Sequence, residues 1–333
     1  MRPMGEWSSS RWLFLLRAVG TSSARFPGDA KVVSAVASTA WLAFDTQSSW
    51  RRRRLIEMSN ASVGGIVVGT ANWSDHTGFY PRGTKPGERL AYYASRLGVV
   101  EVNASFYRRI DPGVYAQWAE QTPDGFVFLV KAHRAVANAP RDGQLAAQYV
   151  SNQFRAVDPL REAGKFGGFL VQLGANVRPK PETNEHLVLL RDGMGDDPIA
   201  VELRHPEWLG ERRGETLERL RSLGLAAVIA DEPRAAAVGL PEPVEELTAP
   251  ALAYYRFMGR DNAGEVSARE RRALRAEHAY TDAEIAELAD LVTARHGPKT
   301  ASFVVFYNKK GPNRVEAAMR MAGELERRGY STG

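Results

Sequence analysis

From residue 63 onward the chain alternates between two rhythms. Short runs of Val, Ile, Leu, Phe and Ala, bounded by Gly, Pro or charged residues, read as buried strands at 65–70, 99–106, 126–132, 168–173, 199–204, 226–230, 253–258 and 302–308. Between them lie stretches with helical spacing at 86–97, 111–121, 144–163, 182–191, 215–223, 282–296 and 313–328. Pro86 near the start of the first helical stretch and Gly98 just past its end fit the usual asymmetry of helix termini. Thr281 with Glu284 three residues on reads as a capping box. Strands alternating with helices predict βαβ units and a parallel sheet. Eight of them give the count of a closed (β/α)8 TIM-type barrel in the α/β class. An open doubly wound sheet shares the alternation, but its dinucleotide-binding form needs Gly-x-Gly-x-x-Gly after the first strand, and none stands there.

Nearly every strand ends in a polar residue. The first ends at Thr70, with Asn72 and Trp73 just beyond. The second carries Glu101, Asn103 and Ser105 at one parity, opposite Val100, Val102 and Ala104. The third ends in Lys131, the fourth in Gln172, and the fifth carries Glu202 and Arg204, then His205. The sixth ends in Asp231, the seventh carries Arg256 and then Arg260, and the eighth ends in Asn308, Lys309 and Lys310. In a barrel these tips converge on one mouth, where catalytic residues gather from several strands. Inward charges must pair or line a wet cavity, and Glu202 and Arg204 with Lys131 and Asp231 are the expected partners. The bland alternative is an ion-pair network that only closes the barrel top.

The candidate chemistry follows from residue type. Glu202 or Asp231 suits general acid–base work, with His205 either a proton shuttle at the mouth or a plain loop residue. Lys131 is an electrostatic clamp, an ion-pair partner, or a Schiff-base nucleophile if burial lowers its pKa. Arg204, Arg256 and Arg260 suit a carboxylate or phosphate. Asn103, Gln172 and Asn308 add hydrogen-bonding capacity. Trp73, Tyr107 and Trp208, with Phe106 and Tyr307, offer faces for a flat ligand, or else pack under loops.

Composition changes the picture at the N-terminus and for metals. Residues 1–57 hold nine of the 44 basic and four of the 39 acidic residues, which leaves 35 of each from residue 58 onward. The basic balance thus belongs to the extension 1–62, and the barrel region 63–330 is neutral. That weighs against a nucleic-acid surface on the barrel, although a local basic patch leaves it open. The extension, with Arg51 through Arg54 and scattered Trp residues, reads as disordered or as the product of a mis-assigned start, with Met58 a second candidate start. There is no cysteine, which excludes disulfides, thiolate metal sites and a Cys nucleophile, and fits a cytoplasmic setting. Only His133 and His205 of the six His residues lie near strand ends, so no metal site and no cofactor is expected; a weak Mg²⁺ site stays open because oxygen ligands suffice for it. The longest apolar runs are too short to span a bilayer. Nothing in the pattern specifies an oligomer.

Several motifs resemble one family. They are Gly69-Thr70-Ala71-Asn72-Trp73, Phe79-Tyr80-Pro81, Glu101-Val102-Asn103-Ala104-Ser105-Phe106-Tyr107, Thr122-Pro123-Asp124-Gly125-Phe126 leading into Val130-Lys131-Ala132, Gln172-Leu173, Val201-Glu202-Leu203-Arg204-His205-Pro206-Glu207-Trp208, Tyr255 through Arg260, and Phe306-Tyr307-Asn308. Over about 240 residues and in this order, they make the chain similar to the YecE-like family, domain of unknown function 72. The resemblance implies a barrel and a candidate pocket at Asn103, Lys131, Gln172, Glu202, Arg204, His205, Asp231, Arg256 and Asn308, but no reaction. Two positions depart from the family pattern: Lys309 follows Asn308 where the family often has a second Asn, and Gly174 follows Gln172-Leu173 where it often has Pro.

Three functions fit these residues. The first is an enzyme, a hydrolase or lyase, acting on a small phosphate- or carboxylate-bearing substrate at the C-terminal strand ends. The second is a nucleic-acid-binding or repair-related barrel, and the third is a barrel that binds a ligand without turnover.

Overall fold

The structure is a computed structural model. It describes residues 65–76, 78–137, 143–231, 244–260, 278–307 and 313–333. The expectations for the extension 1–62 and for Asn308, Lys309 and Lys310 lie outside the described residues.

The strands form one all-parallel sheet: β1 (Ile66–Ala71), β2 (Val99–Val102), β3 (Val127–Lys131), β4 (Phe166–Leu173), β5 (Ile199–Leu203), β6 (Ala226–Ala227), β7 (Ile229–Asp231), β8 (Leu252–Phe257) and β9 (Ala301–Phe306). Their order around the sheet is β6-β5-β4-β3-β2-β1-β9-β8-β7. β6 and β7 are two pieces of one run, broken at Val228, whose N–H donates to Val201 O at 3.0 Å. The first piece pairs with β5 and the second with β8. The ring therefore returns on itself through this run, giving the expected eight strand positions of a (β/α)8 barrel in nine segments.

Parity sorts the core into two layers. Ile66, Val100, Val130, Val171, Val201 and Phe257 face outward and pack with the surrounding helices. Val99, Leu129, Leu170, Ala200, Tyr254 and Val305 face inward and fill the barrel. Strands covered on both faces read as near-continuous apolar runs, which is why the runs are so plain in the sequence. Inside, Gly69 is required by contact: a Cβ there would lie 1.7 Å from the carbonyl oxygen of Val99, its neighbour on β2.

The helices follow their local signals. Asp111 caps Pro112–Glu120, its Oδ1 accepting from Gly113 N at 2.8 Å. The capping box of Thr281 and Glu284 starts Asp282–Thr293. One expected strand is cut short. β2 stops at Val102, and Ala104–Tyr107 is a helical turn. The Ser105 hydroxyl donates to Val102 O at 2.8 Å and lies 2.6 Å from Lys131 O, so a side chain takes over the backbone pairing that would have continued the strand. Among the described residues, no helix is long and apolar enough to cross a membrane.

Candidate functional site

Continuing the inward parity to the C-terminal end of the barrel brings Glu101, Asn103, Lys131, Gln172, Glu202, Arg204 and Arg256 together. Arg256 is fully buried and lies between two carboxylates. Its Nε and Nη2 donate to Glu101 Oε2 and Oε1, both at 2.8 Å, and its Nη1 pairs with Glu202 Oε2. One guanidinium from β8 thus ties β2 to β5 across the interior. Tyr254, one turn of the pleat below, donates from its hydroxyl to Glu101 Oε2 at 2.9 Å. The Tyr307 ring covers Arg256, with its centroid 4.5 Å from the guanidinium carbon.

Glu202 is as fully engaged. Its Oε1 accepts from Gln172 Nε2 at 2.6 Å and from Arg204 Nη1 at 2.7 Å. Burial raises the pKa of such a group, but the charges of Arg256, Arg204 and Lys131 and the Gln172 hydrogen bond outweigh it and hold Glu202 well below the usual carboxylate range. Glu202 is an ionised anchor in this arrangement.

Lys131 is the exception. It is 5% exposed, yet among the described residues its Nζ makes no salt bridge and has one hydrogen bond, to the neutral amide oxygen of Gln172 at 2.9 Å. The expected pairing of Lys131 with a carboxylate is not what the structure has, because Arg256, Arg204 and Gln172 already occupy the nearby carboxylate oxygens. Nζ instead sits 4.8 Å from the centroid of Phe106 and 5.9 Å from that of Tyr307. Burial first, then the charge of Arg256, lowers its pKa from 10.5 to about 8.

In the same cluster, Asn103 donates from Nδ2 to Glu101 Oε1 at 2.8 Å, and its buried Oδ1 has no hydrogen-bond partner among the described residues. A second asparagine orients this one. Asn72 adopts φ +58°, the one left-handed non-glycine among the described residues. Its N–H donates to Glu101 O at 2.9 Å and its Oδ1 accepts from Asn103 N at 3.2 Å, locking the ends of β1 and β2 together. Among the described residues the mouth therefore carries three cations (Lys131, Arg204 and Arg256), two carboxylates (Glu101 and Glu202), and an acceptor with no donor.

The remaining candidates are placed elsewhere. Asp231 has the outward parity of its register partner Phe257. It accepts from Arg260 Nε at 2.9 and 3.0 Å and from Tyr280 OH at 2.9 Å, away from Lys131 and Glu202. His205 caps the turn Pro206–Trp208, its Nδ1 accepting from Glu207 N at 3.2 Å. Trp208 is buried and donates from Nε1 to Val177 O at 2.8 Å. Trp73 packs edge-on against Trp118 with centroids 4.9 Å apart. Neither Trp is a wall of the mouth. Tyr107, 70% exposed, meets Phe106 edge-on at 5.1 Å, on the side of Lys131. Among the described residues no three His, Asp or Glu side chains converge as a metal site would need.

A family model described as "Protein of unknown function DUF72" matches residues 67–332. The chain belongs to the DUF72 family. Among relatives of known sequence, the UPF0759 protein YunF of Bacillus subtilis strain 168 is 26% identical over 269 residues, covering 78% of this chain and 95% of YunF. The UPF0759 protein YecE of Escherichia coli K12 is 30% identical over 174 residues, half of this chain and 59% of YecE. The crystal structure of a DUF72 family protein from Enterococcus faecalis V583 superposes with a TM-score of 0.68 at 26% identity, over 78% of this chain and 95% of that one. Another from Thermotoga maritima MSB8 gives 0.66 at 27% identity, over 79% and 99%. The barrel is thus the DUF72 fold, and the whole inward cluster lies within the DUF72 match.

Of this DUF72 cluster, Glu101 and Asn72 were visible at strand ends but were given no role, and Tyr254 was not singled out. Glu101 carries the parity of Asn103, and Tyr254 stands two residues before Arg256, so the same period of two carried back along β8 would have found Tyr254. Asn72 left no signal beyond being an Asn at a strand end, a residue type that tolerates the left-handed region.

Proposed function

We propose that this protein is an enzyme acting on a small phosphate- or carboxylate-bearing substrate held in the barrel mouth. The observation that carries this reading is Lys131: a buried ammonium without a salt bridge among the described residues, in a cluster that also holds the unpartnered Oδ1 of Asn103. A buried charge costs several kcal/mol unless it is paired, and a bound anion supplies the missing pair. Arg204, whose side chain is 23% exposed at the outer edge of the same cluster, offers a second cation to that anion. Glu101 and Glu202, both engaged by Arg256, suit the role of holding the cations in place; they are poor candidates for proton transfer because their oxygens are already hydrogen-bonded.

The test is anion binding followed by turnover. Inorganic phosphate and a small dicarboxylate should raise the melting temperature saturably, by roughly 2–3 kcal/mol of stabilisation at a hundredfold excess over Kd. Lys131→Met and Arg204→Met should each lose most of that gain. Native mass spectrometry of protein purified from its source should then identify an anionic ligand that is consumed on incubation. A ligand that stays bound unchanged means a binding barrel, and no saturable effect of any anion ends the proposal.

A further inference from the structure

We infer that Lys131 forms an imine with its substrate, so that the substrate class is an anionic aldehyde or ketone. The inference rests on the function proposed above and names the chemistry of that same site. Its basis is the choice of partners around the lysine. Two buried carboxylates lie in the cluster, and a lysine kept only for its charge would bind one of them. Here each carboxylate is taken by donors that cannot lose their protons at ordinary pH or are neutral: Arg256 on Glu101 and Glu202, with Arg204 and Gln172 on Glu202. What remains for Nζ is one amide oxygen and the face of Phe106. That environment tolerates a neutral amine, which an ion pair would not. The lowered pKa of about 8 agrees with the geometry, since it provides on the order of a hundredfold more free amine near neutral pH than an ordinary lysine has.

The step balances without any co-reactant. The Nζ lone pair attacks the carbonyl carbon and forms the C–N bond, giving a carbinolamine. The carbon–oxygen bond then breaks, and the former carbonyl oxygen leaves as water with both protons of the amine. Asn103 Oδ1, in the same cluster, is the acceptor we assign to the carbinolamine hydroxyl or to the N–H of a protonated imine, and it has no other donor among the described residues. Arg204 and the excess positive charge hold the substrate's anionic group. The two roles, an anion clamp and an amine nucleophile, require one molecule bearing both a carbonyl and a negative charge.

The experiment uses the full wild-type chain, so no variant needs to fold. Glyoxylate is the probe and sodium cyanoborohydride the trap; hydride adds to the imine carbon and leaves a stable secondary amine, which is located by peptide mass spectrometry. The expected result is an adduct at Lys131 forming at least about tenfold faster than at the exposed Lys85, Lys180 and Lys299, saturable in glyoxylate and slowed by inorganic phosphate. Labelling of Lys131 no faster than of those three overturns the inference. Phosphate binding measured by calorimetry on the same sample separates the two failures. Phosphate that binds while Lys131 stays unlabelled removes only the imine and leaves the anion site standing. Phosphate that does not bind, with no selective labelling, removes both.

Discussion

Lys131 carries the cost of a buried ammonium with one neutral hydrogen-bond partner. In the same cluster Arg256, Arg204, Glu101 and Glu202 are paired with one another, whereas this ammonium has one amide and two ring faces. The sign of its effect on stability follows from linkage. Its folded pKa of about 8 lies below the unfolded value of 10.5, so above pH 8 the unfolded chain binds more protons than the folded one. The penalty is fully present below about pH 8 and is relieved as the pH rises towards 10.5, with a size of roughly 3 kcal/mol. Lys131→Met should therefore stabilise the protein near neutral pH, and the gain should shrink in denaturant titrations repeated at about pH 10. A gain of the same size at both pH values would mean that methionine merely packs better. A residue that weakens the fold and stays fully formed at the mouth is what a functional site looks like in energetic terms.

At the scale of the element, the strands were legible because both faces of a parallel sheet are covered and each run is apolar throughout. Their inward tips were legible from parity: Glu202 with Arg204 follows the period of two, and so does Arg256. Asp231 was placed at the mouth only because it ends a strand, with no parity argued for it. The sixth run is broken at Val228, and Asp231 stands on the outward face with Arg260 and Tyr280. A strand end is visible in a sequence, but its facing is set by the register of its neighbours. The aromatic positions failed for a related reason. Trp208 and Trp73 stand just past strand ends, yet each finds a packing partner in the outer layer, Val177 O for the one and Trp118 for the other. Side chain against backbone decided the end of β2, where Ser105 replaces a strand bond. Of the described glycines, Gly69 has the least room for a side chain. A Cβ there meets the carbonyl of Val99, which belongs to the backbone and cannot rotate away. Gly69→Ala should force β1 from β2 and cost at least about 2–3 kcal/mol in chemical denaturation. Because Asn72 and Glu101 join the same two strands, the variant should also weaken phosphate binding at the mouth. A variant with wild-type stability would show that the two strands separate easily.

At the scale of the whole molecule, Arg256 is the tie across the barrel. Strands β2, β5 and β8 lie far apart around the ring, and their side chains meet only because the sheet closes. Glu101 and Glu202 are both buried, and each is balanced by this one guanidinium. Removing it leaves two carboxylates with less positive charge than they need. Breaking one buried pair typically costs about 3–5 kcal/mol, so Arg256→Met should lose at least that much, close to the whole stability of many domains. Removing the carboxylates as well should reverse most of the loss. The triple variant Glu101→Gln, Arg256→Met, Glu202→Gln should be far more stable than the sum of the single changes implies, because the groups form one network. The pH dependence should change with it. In the wild type, Glu202 is held below the ordinary carboxylate range, so its contribution is present above the unfolded pKa and fades as the pH falls through that range and below. The triple variant should lack this acid-side loss, and the stability curves of the two proteins should converge as the pH drops. Additive single-variant costs, or parallel curves into acid, would mean that Arg256 is not the tie.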